Sequence, residues 1–316
     1  MARAWAPGVP VQRGETTEAQ VWAVEGHRVE LRSDQLATEE PLEIRLLTEE
    51  AGLIRLEGRG SVPAPTACRP VAITMRTPGD DFALAAGFLY GEGIVRARGD
   101  IRRISYCPDQ GLEGEQRDNI VNVELRAGLK PDLKSLERHF YTTSACGVCG
   151  KASLEALRLR DYAAVARGPV IAPAVLYGLP EKLQAAQAIF GATGGLHAAG
   201  LFNAKGKLLA LREDVGRHNA LDKLVGWALV EGRLPLHGHV VMVSGRSSFE
   251  ILQKCLAAGV PIVCAVSAPS SLAVALAHKF GVTLIGFLRG ERFNVYAGVE
   301  RVRGATESSE VIPSSL

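Results

Sequence analysis

Residues 240–250 read VVMVSGRSSFE, and this stretch indicates the fold. A run of apolar, mostly β-branched residues bounded by Ser and Gly predicts a buried strand. Ser247 or Ser248 is suited to cap the helix that begins next, because its hydroxyl can accept a free helix N–H. The same alternation continues along the chain, predicting strands His239–Val243, Pro261–Val266 and Val282–Phe287 and helices Phe249–Ala258 and Ser271–Phe280. Such alternation predicts βαβ units and a sheet with helices on its faces.

The residues before this stretch extend the same unit. A hairpin is predicted from strand Leu196–Phe202, the turn at residues 203–206 and a return strand Leu208–Leu211. A helix follows Asp214, which we interpret as its cap, and runs to about Val230.

Farther toward the N-terminus the pattern changes to short strands. Alternating apolar residues predict strands in the ranges 42–46, 53–56, 71–75, 101–106 and 119–125. A helix capped by Asp80 or Asp81 is predicted to bury Phe82, Ala85, Ala86, Phe88 and Leu89. We therefore predict a flexible tail (1–37), a small α+β domain (38–130), an α/β domain (131–304) and a C-terminal tail (305–316).

Composition excludes several classes of protein. The 316 residues are 47% hydrophobic and 22% charged, with a net charge of +2, as in globular proteins. The small net charge gives no bulk attraction to nucleic acid or anionic membranes. The uncharged range Cys255–Ala277 could span a bilayer by length, but Pro261 and Pro269 interrupt it. With no signal peptide, we expect a soluble cytoplasmic protein without disulfides.

Two of the six cysteines form a motif, Cys146-Gly147-Val148-Cys149. The sequence after it is strongly helical, so the motif is predicted to lie in a first helical turn. Free N–H groups and the helix dipole stabilise a thiolate there. Cys255 and Cys264 lie in apolar surroundings and are predicted to be inert core residues.

The spacing alone leaves several interpretations open. A zinc site needs further ligands beyond these two cysteines. The sequence has no second CxxC, and its histidines are spread along the chain without ligand spacing, which argues against zinc. A dithiol redox motif, a sulfur relay through a persulfide, and a buried pair at chance spacing also fit.

Two segments could bind an anion. Ser244–Ser248 joins a strand to a helix, so its N–H groups, Ser247 and Arg246 could hold a phosphate, although the pattern is not a P-loop. The second segment, after the last strand, pairs an aromatic ring with two arginines, a combination suited to a flat heterocycle that carries phosphates. Its residues are Phe287, Leu288, Arg289, Gly290, Glu291 and Arg292. A capping serine and a solvated basic turn are the simpler alternatives. His218 is interpreted as structural.

Taken in order, five segments resemble the formate dehydrogenase accessory proteins of the FdhD/NarQ family. They are Arg69–Phe82, Ser144–Lys151, Asp214–Asp222, Ser244–Glu250 and Phe287–Tyr296, within a resemblance that covers about residues 40 to 300. The resemblance implies a larger domain similar to the three-layer cytidine deaminase fold. It does not imply deaminase zinc chemistry, because the H-x-E and P-C-x-x-C signature is missing.

The resemblance also implies a function. A cysteine desulfurase would load sulfur onto Cys146 as a persulfide, with Cys149 as its helper. The sulfur would pass to the molybdenum cofactor of formate dehydrogenase, in its bis-molybdopterin guanine dinucleotide form, at Phe287–Arg292. The phosphate site predicted from Arg246 and Ser247 agrees with such a ligand. A zinc-dependent nucleotide deaminase or hydrolase and a non-catalytic cofactor chaperone are the alternatives. No permanent metal is expected, and a homodimer is left open.

Overall fold

The computed structural model describes residues 14–49, 53–56, 60–63, 66–109, 111–131, 164–165 and 168–305. The predicted CxxC at Cys146 and Cys149 lies outside the described residues. So do the predicted helix after it and the last eleven residues, 306–316.

The larger unit is built on a six-stranded sheet. Its strands are β9 (His197–Asn203), β10 (Leu208–Asp214), β11 (His239–Val243), β12 (Ile262–Ala265), β13 (Thr283–Arg289) and β14 (Arg292–Ala297). They lie in the order β10-β9-β11-β12-β13-β14. The three central strands β11, β12 and β13 are parallel, as the strand–helix alternation predicted, and the outer ones are antiparallel.

Helices cover both faces of this sheet. Residues of β11 alternate between two cores, because successive side chains of a strand point to opposite faces. Val241 and Val243 pack with α6 (Arg217–Val230), α7 (Phe249–Ala257) and α8 (Ser271–Phe280). Val240 and Met242 pack with the short helices on the other face. Those are α3 (Pro173–Tyr177) and α4 (Leu179–Ala186), followed by α5 (Ala188–Thr193). The result is the predicted helix–sheet–helix layering.

A smaller unit contains a four-stranded sheet. Its strands are β3 (Glu40–Glu49), β6 (Thr66–Arg76), β7 (Ile101–Tyr106) and β8 (Ile120–Leu125), in the order β6-β3-β8-β7. Strands β4 (Leu53–Leu56) and β5 (Gly60–Pro63) form a separate hairpin. Helix α1 (Asp81–Gly91) covers one face, and α2 (Gly114–Asp118) precedes β8. The predicted strands and helix are present: β3 and β6 are longer than predicted, β4 and β7 match, and β8 begins one residue later.

Two details of α1 were predicted wrongly. Phe82 is exposed rather than buried, and its ring lies against Tyr106 with the centroids 4.8 Å apart. Asp80 occupies the N-cap position in a left-handed conformation (φ 54), but its side chain makes no capping hydrogen bond. Its carboxylate lies 3.0 Å from Nε of Arg212, across the boundary between the units.

The two units meet where α1 crosses α6 at very short range. A Cβ atom on Gly226 would lie 1.8 Å from the carbonyl oxygen of Ala83, and one on Gly87 would lie 1.9 Å from that of Asp222. Only glycine allows the two backbones to approach this closely. This crossing fixes α6 against the smaller unit.

Part of the predicted N-terminal tail forms a hairpin. Strands β1 (Thr16–Glu25) and β2 (Arg28–Ala37) pair antiparallel around a turn in which Gly26 has φ 61. The hairpin was missed because apolar and polar residues alternate only over short stretches here, such as residues 28–32, which is too little to predict two strands of ten residues. The domain boundaries at residues 38, 131 and 305 stay predictions.

Among the described residues, no helix combines the length and apolar character that crossing a membrane requires. The uncharged range Cys255–Ala277 is divided among the end of α7, β12 and α8, as its prolines predicted.

Candidate functional site

Two loops and the last residues of β13 meet at one edge of the sheet. The loops are Ser244–Ser248 after β11 and Val266–Ser270 after β12, and β13 contributes the segment from Phe287 onward. The N–H of Ser270 donates to the carbonyl of Ser247 at 3.0 Å, and the N–H of Phe287 donates to the carbonyl of Ser267 at 3.2 Å. We call this region the strand-end edge. It brings both predicted anion-binding segments to one side of the sheet, with the Val266–Ser270 loop between them.

Three helices begin at the strand-end edge. Their N-caps are Gly216 for α6, Ser248 for α7 and Ser270 for α8. Each helix N-terminus carries unpaired N–H groups and roughly half a positive charge. Ligands of open α/β sheets collect outside such strand ends, so the edge is suited to an anionic ligand.

The two serines in the first loop have different roles. The Ser248 hydroxyl accepts from the N–H of Ile251 at 3.4 Å and caps α7. The Ser247 side chain is fully buried, and its hydroxyl has no hydrogen-bond partner within the described part of the chain. A buried hydroxyl without a partner costs free energy unless a ligand or water completes it. Arg246, beside it, is exposed and available to an anion.

His197 and Arg217 lie against the same loop, which the sequence did not indicate. A Cβ atom on Gly245 would lie 3.5 Å from Nδ1 of His197 and 3.7 Å from Cδ of Arg217. Burial lowers the pKa of His197, and the nearby charges of Arg217 and His218 lower it further. His197 is therefore neutral at pH 7. The position of His197 beside this loop results from the sheet topology and not from a local motif, because β9 runs antiparallel to β11 and begins where β11 ends.

His218 joins α6 to α7. Its Nε2 lies 2.9 Å from a carboxylate oxygen of Glu250 and 3.2 Å from the Ser248 hydroxyl. The hydrogen bond from His218 lowers the pKa of Glu250, although burial of the carboxyl opposes the shift. These contacts hold the first turns of both helices together.

Asp214 was predicted to cap α6, which is wrong in detail. Gly216 is the N-cap, and Asp214 lies two residues earlier, fully buried. Its carboxylate accepts from the N–H of Gly216 at 2.8 Å, pairs with Nζ of Lys223 at 2.8 Å, and accepts from the N–H of Thr77 at 3.2 Å. Asp214 therefore ties the smaller unit to the strand-end edge.

The segment after Thr77 is anchored in turn by a buried ion pair. Arg76 donates from Nε and Nη2 to the two carboxylate oxygens of Asp81, at 3.0 and 2.9 Å. The Tyr106 hydroxyl donates to the same carboxylate at 3.3 Å. Burial, together with Asp81, raises the pKa of Tyr106 to about 12. This network gives two charged residues of the Arg69–Phe82 motif, Arg76 and Asp81, a structural role.

The Phe287–Arg292 segment is a tight hairpin rather than a loose basic turn. β13 continues to Arg289, which pairs directly with Arg292 of β14 after an irregularity in the register. Phe287 has φ 52, and the Arg289 guanidinium lies 5.9 Å from the centroid of its ring. Leu288 is buried in the core, so only its backbone can contact a ligand. Gly290, Glu291 and both arginines are exposed.

Cysteines within the described residues do not form a reactive pair. Cys255 and Cys264 are buried, and burial raises the pKa of Cys255 to about 12 and that of Cys264 further still. Their thiols stay protonated at neutral pH, as predicted for inert core residues. No cluster of three or more His, Cys, Asp or Glu side chains suited to a metal ion occurs in the described ranges.

Comparisons with known proteins point to one family. The model of the FdhD/NarQ family matches residues 65–303. The chain is 50% identical over 293 residues to the sulfur carrier protein FdhD of Streptomyces coelicolor, covering 92% of this chain and 96% of that protein. It is 45% identical over 291 residues to the sulfur carrier protein FdhD of Mycobacterium tuberculosis, covering 91% and 98%. It is similar to the crystal structure described as a formate dehydrogenase accessory protein from Desulfotalea psychrophila, with a TM-score of 0.66, 25% identity and coverage of 91% and 99%.

Proposed function

Because the chain belongs to the FdhD/NarQ family, we propose that it is a sulfur carrier in the maturation of formate dehydrogenase. The observation that carries the proposal is the family match across residues 65–303, a range that includes Cys146 and Cys149. The extent of identity to the sulfur carrier proteins supports it, because the alignments cover nearly the whole of both chains.

Sulfur is accepted by Cys146 in this proposal. Its thiolate attacks the terminal sulfur of a persulfide on a cysteine desulfurase. The donor's S–S bond breaks, the donor thiolate leaves, and a persulfide forms on Cys146, so no external oxidant is needed. Cys149 then attacks Sγ of Cys146, the terminal sulfur leaves as hydrosulfide, and a disulfide joins the two cysteines. The cysteine pair supplies the two electrons, and a cellular dithiol restores it.

The sulfur acceptor in this proposal is the molybdenum cofactor, as the bis-molybdopterin guanine dinucleotide, bound as a substrate at the strand-end edge. Three helix N-termini, Arg246 and the unpartnered Ser247 hydroxyl support the binding of phosphate groups there. Phe287 and Arg289 offer an aromatic face and a cation within the same region, which suits a planar base. Glu291 is the one acidic residue of that turn and can accept from the base's N–H groups.

The larger unit is proposed to share the cytidine deaminase fold. The mixed order β10-β9-β11-β12-β13, with helices on both faces, supports that likeness. We further propose that the protein acts as a sulfurtransferase in the cytoplasm, with a cysteine desulfurase and formate dehydrogenase as its partners.

Intact-mass measurement tests the sulfur-carrier proposal. The full chain is incubated with a cysteine desulfurase, pyridoxal phosphate and cysteine, and its mass is compared with that of the Cys146→Ala/Cys149→Ala variant. On the wild type we expect either one added sulfur atom or, after its release by Cys149, the disulfide that joins the two cysteines; dithiothreitol removes both, and the variant shows neither. Equal loading of both proteins would contradict the proposal.

Two further readouts separate the alternatives. A zinc-dependent deaminase would contain stoichiometric zinc that both single cysteine variants lose. A cofactor chaperone without sulfur chemistry would restore formate dehydrogenase activity in cells even when both cysteines are replaced.

A further inference from the structure

A small cavity lies on the four-stranded sheet of the smaller unit, on the face turned away from α1. Val121 and Val123 of β8 pack in the core beneath α1, so the alternate residues Asn122 and Glu124 point to the opposite face. The cavity has a volume of about 210 Å³, below the roughly 300–1,000 Å³ of pockets that hold drug-sized ligands, so it suits a small molecule. Its lining residues are Leu47, Arg103, Ser105, Tyr106, Pro108, Asn122 and Glu124.

The strand register places the polar groups of this cavity side by side. Ser105 of β7 pairs with Asn122 of β8, and Arg103 of β7 pairs with Glu124 of β8. On the other side of β8, Leu47 of β3 pairs with Glu124. One end of the cavity therefore has an amide and a hydroxyl, and the other end has a carboxylate between a guanidinium and an apolar side chain.

Asn122 is the residue that points to a ligand. It is only 6% exposed, and its Oδ1 atom is buried without a hydrogen-bond partner in the described part of the chain. A buried amide oxygen without a partner costs free energy unless a ligand or water donates to it. Because this oxygen can only accept, the ligand must bring an N–H or O–H group to it.

The charges around the cavity exclude a simple anion or cation as its ligand. Arg103 is exposed and forms no ion pair within the described ranges. Glu124 is half-buried, and its Oε1 accepts from Nη1 of Arg102 at 2.8 Å, so Oε2 is available to a ligand. A simple anion would be repelled by Glu124 and would leave Asn122 without a donor, whereas a simple cation would be repelled by Arg103. The ligand must therefore carry both a donor cation and an anion.

We infer that the cavity binds a free α-amino acid with a small side chain. The ammonium group donates to Oδ1 of Asn122 and to the Glu124 carboxylate, which gives the buried amide its missing partner. The α-carboxylate accepts from the Arg103 guanidinium, whose planar fork matches a carboxylate. The side chain of the amino acid lies against Leu47 and the ring of Pro108. This site is separate from the strand-end edge, which belongs to the larger unit.

Titration calorimetry of the full chain with three matched probes tests the inference. L-Alanine carries both charged groups, propionate lacks the ammonium group, and ethylamine lacks the carboxylate. We expect saturable binding of L-alanine with a Kd below about 1 mM. Propionate and ethylamine should each bind about tenfold more weakly or worse, because each loses one set of charge-assisted hydrogen bonds. No saturable binding of L-alanine in this range, or equal binding of either partial probe, would overturn the inference.

Substitutions place the binding at this cavity. Arg103→Gln removes the cation and Asn122→Leu removes the acceptor, so each should raise the Kd for L-alanine about tenfold or more. Arg126→Gln is the matched control, since Arg126 is also an exposed arginine at this sheet but does not line the cavity, and its Kd should equal that of the wild type.

An unchanged Kd in Arg103→Gln, or an equal loss in Arg126→Gln, would show that the amino acid does not bind here. Circular dichroism checks the fold of each variant, and Arg103→Gln alone suffices if Asn122→Leu does not fold. Guanosine diphosphate should not compete with L-alanine, because the two sites lie in different units. None of these readouts depends on sulfur transfer.

Discussion

Replacing Ser247 with alanine should stabilise the free protein while weakening its ligand binding. The Ser247 hydroxyl is fully buried and has no partner among the described residues. Leaving such a hydroxyl unpaired costs about 1–3 kcal/mol, and the small void left by removing one oxygen offsets part of that gain. We therefore expect the free energy of unfolding to rise by about 1 kcal/mol.

Binding should change in the opposite direction. A hydrogen bond from a hydroxyl to a charged phosphate contributes about 1.5–3 kcal/mol, so its loss should raise the Kd about tenfold to a hundredfold. Guanosine diphosphate serves as the probe, because it represents one half of the guanine dinucleotide. Titration calorimetry measures its affinity, and urea unfolding in a phosphate-free buffer measures stability.

Ser248→Ala is the matched control for this prediction. The same atom is removed from the next residue, but here it deletes the cap of α7, so stability should fall by about 1 kcal/mol. The reasoning is refuted if Ser247→Ala destabilises the free protein, or if its affinity for guanosine diphosphate equals that of the wild type.

Two further predictions concern the framework around the site. Gly226→Ala should destabilise the protein by about 3 kcal/mol in urea unfolding, because the new Cβ would lie 1.8 Å from the Ala83 carbonyl oxygen. Gly191→Ala is the control, because Gly191 lies in an exposed helix and a Cβ atom there would have no other atom within 4 Å; it should stabilise the protein by about 0.5–1 kcal/mol. A similar loss of stability in both variants would contradict the close contact between α1 and α6. The hydrogen bond from His218 lowers the pKa of Glu250. The ionised Glu250 carboxylate therefore stabilises the folded protein fully above its ordinary pKa of 4.5, and this contribution is lost as the pH falls through the lowered pKa. The stability difference between wild type and Glu250→Gln should therefore shrink as the pH falls below 4.5, and a difference that grows on acidification would show the sign to be wrong.

The larger unit could be predicted well because its elements are buried. Strand β11 and helix α8 begin and end at the predicted residues, and α7 ends one residue early. Continuous apolar runs bounded by Gly, Ser and Pro leave few alternatives for a buried strand between helices.

Exposed elements could not be predicted in the same way. The hairpin of β1 and β2 has its apolar residues in solvent, and β14 is a partly exposed edge strand that contains Arg292 and Asn294. β14 follows the rule that the apolar face of a strand is buried, with Phe293 and Val295 packed against the core, but so short an alternation beside a turn did not predict a strand. The hairpin does not follow that rule. Phe82 was misplaced for the same reason, since its ring packs on Tyr106 at the surface.

The strand-end edge was predicted only in part. Arg246 and Ser247 lie in the loop after β11, and Phe287 lies near the end of β13, so their common edge could be inferred from βαβ connectivity. His197 and Arg217 reach the edge through antiparallel pairing and a helix start, which no local motif encodes. The separation of roles between Ser247 and Ser248 depends on burial, which the sequence does not reveal.

The most direct test of the sulfur-carrier proposal is intact-mass measurement of the two single cysteine variants after loading with a cysteine desulfurase. The account predicts that Cys149→Ala accumulates one sulfur atom, because its persulfide on Cys146 cannot be released by the second cysteine. It predicts that Cys146→Ala carries none. Sulfur retained on Cys146→Ala, with none on Cys149→Ala, would contradict the assignment of Cys146 as the carrier.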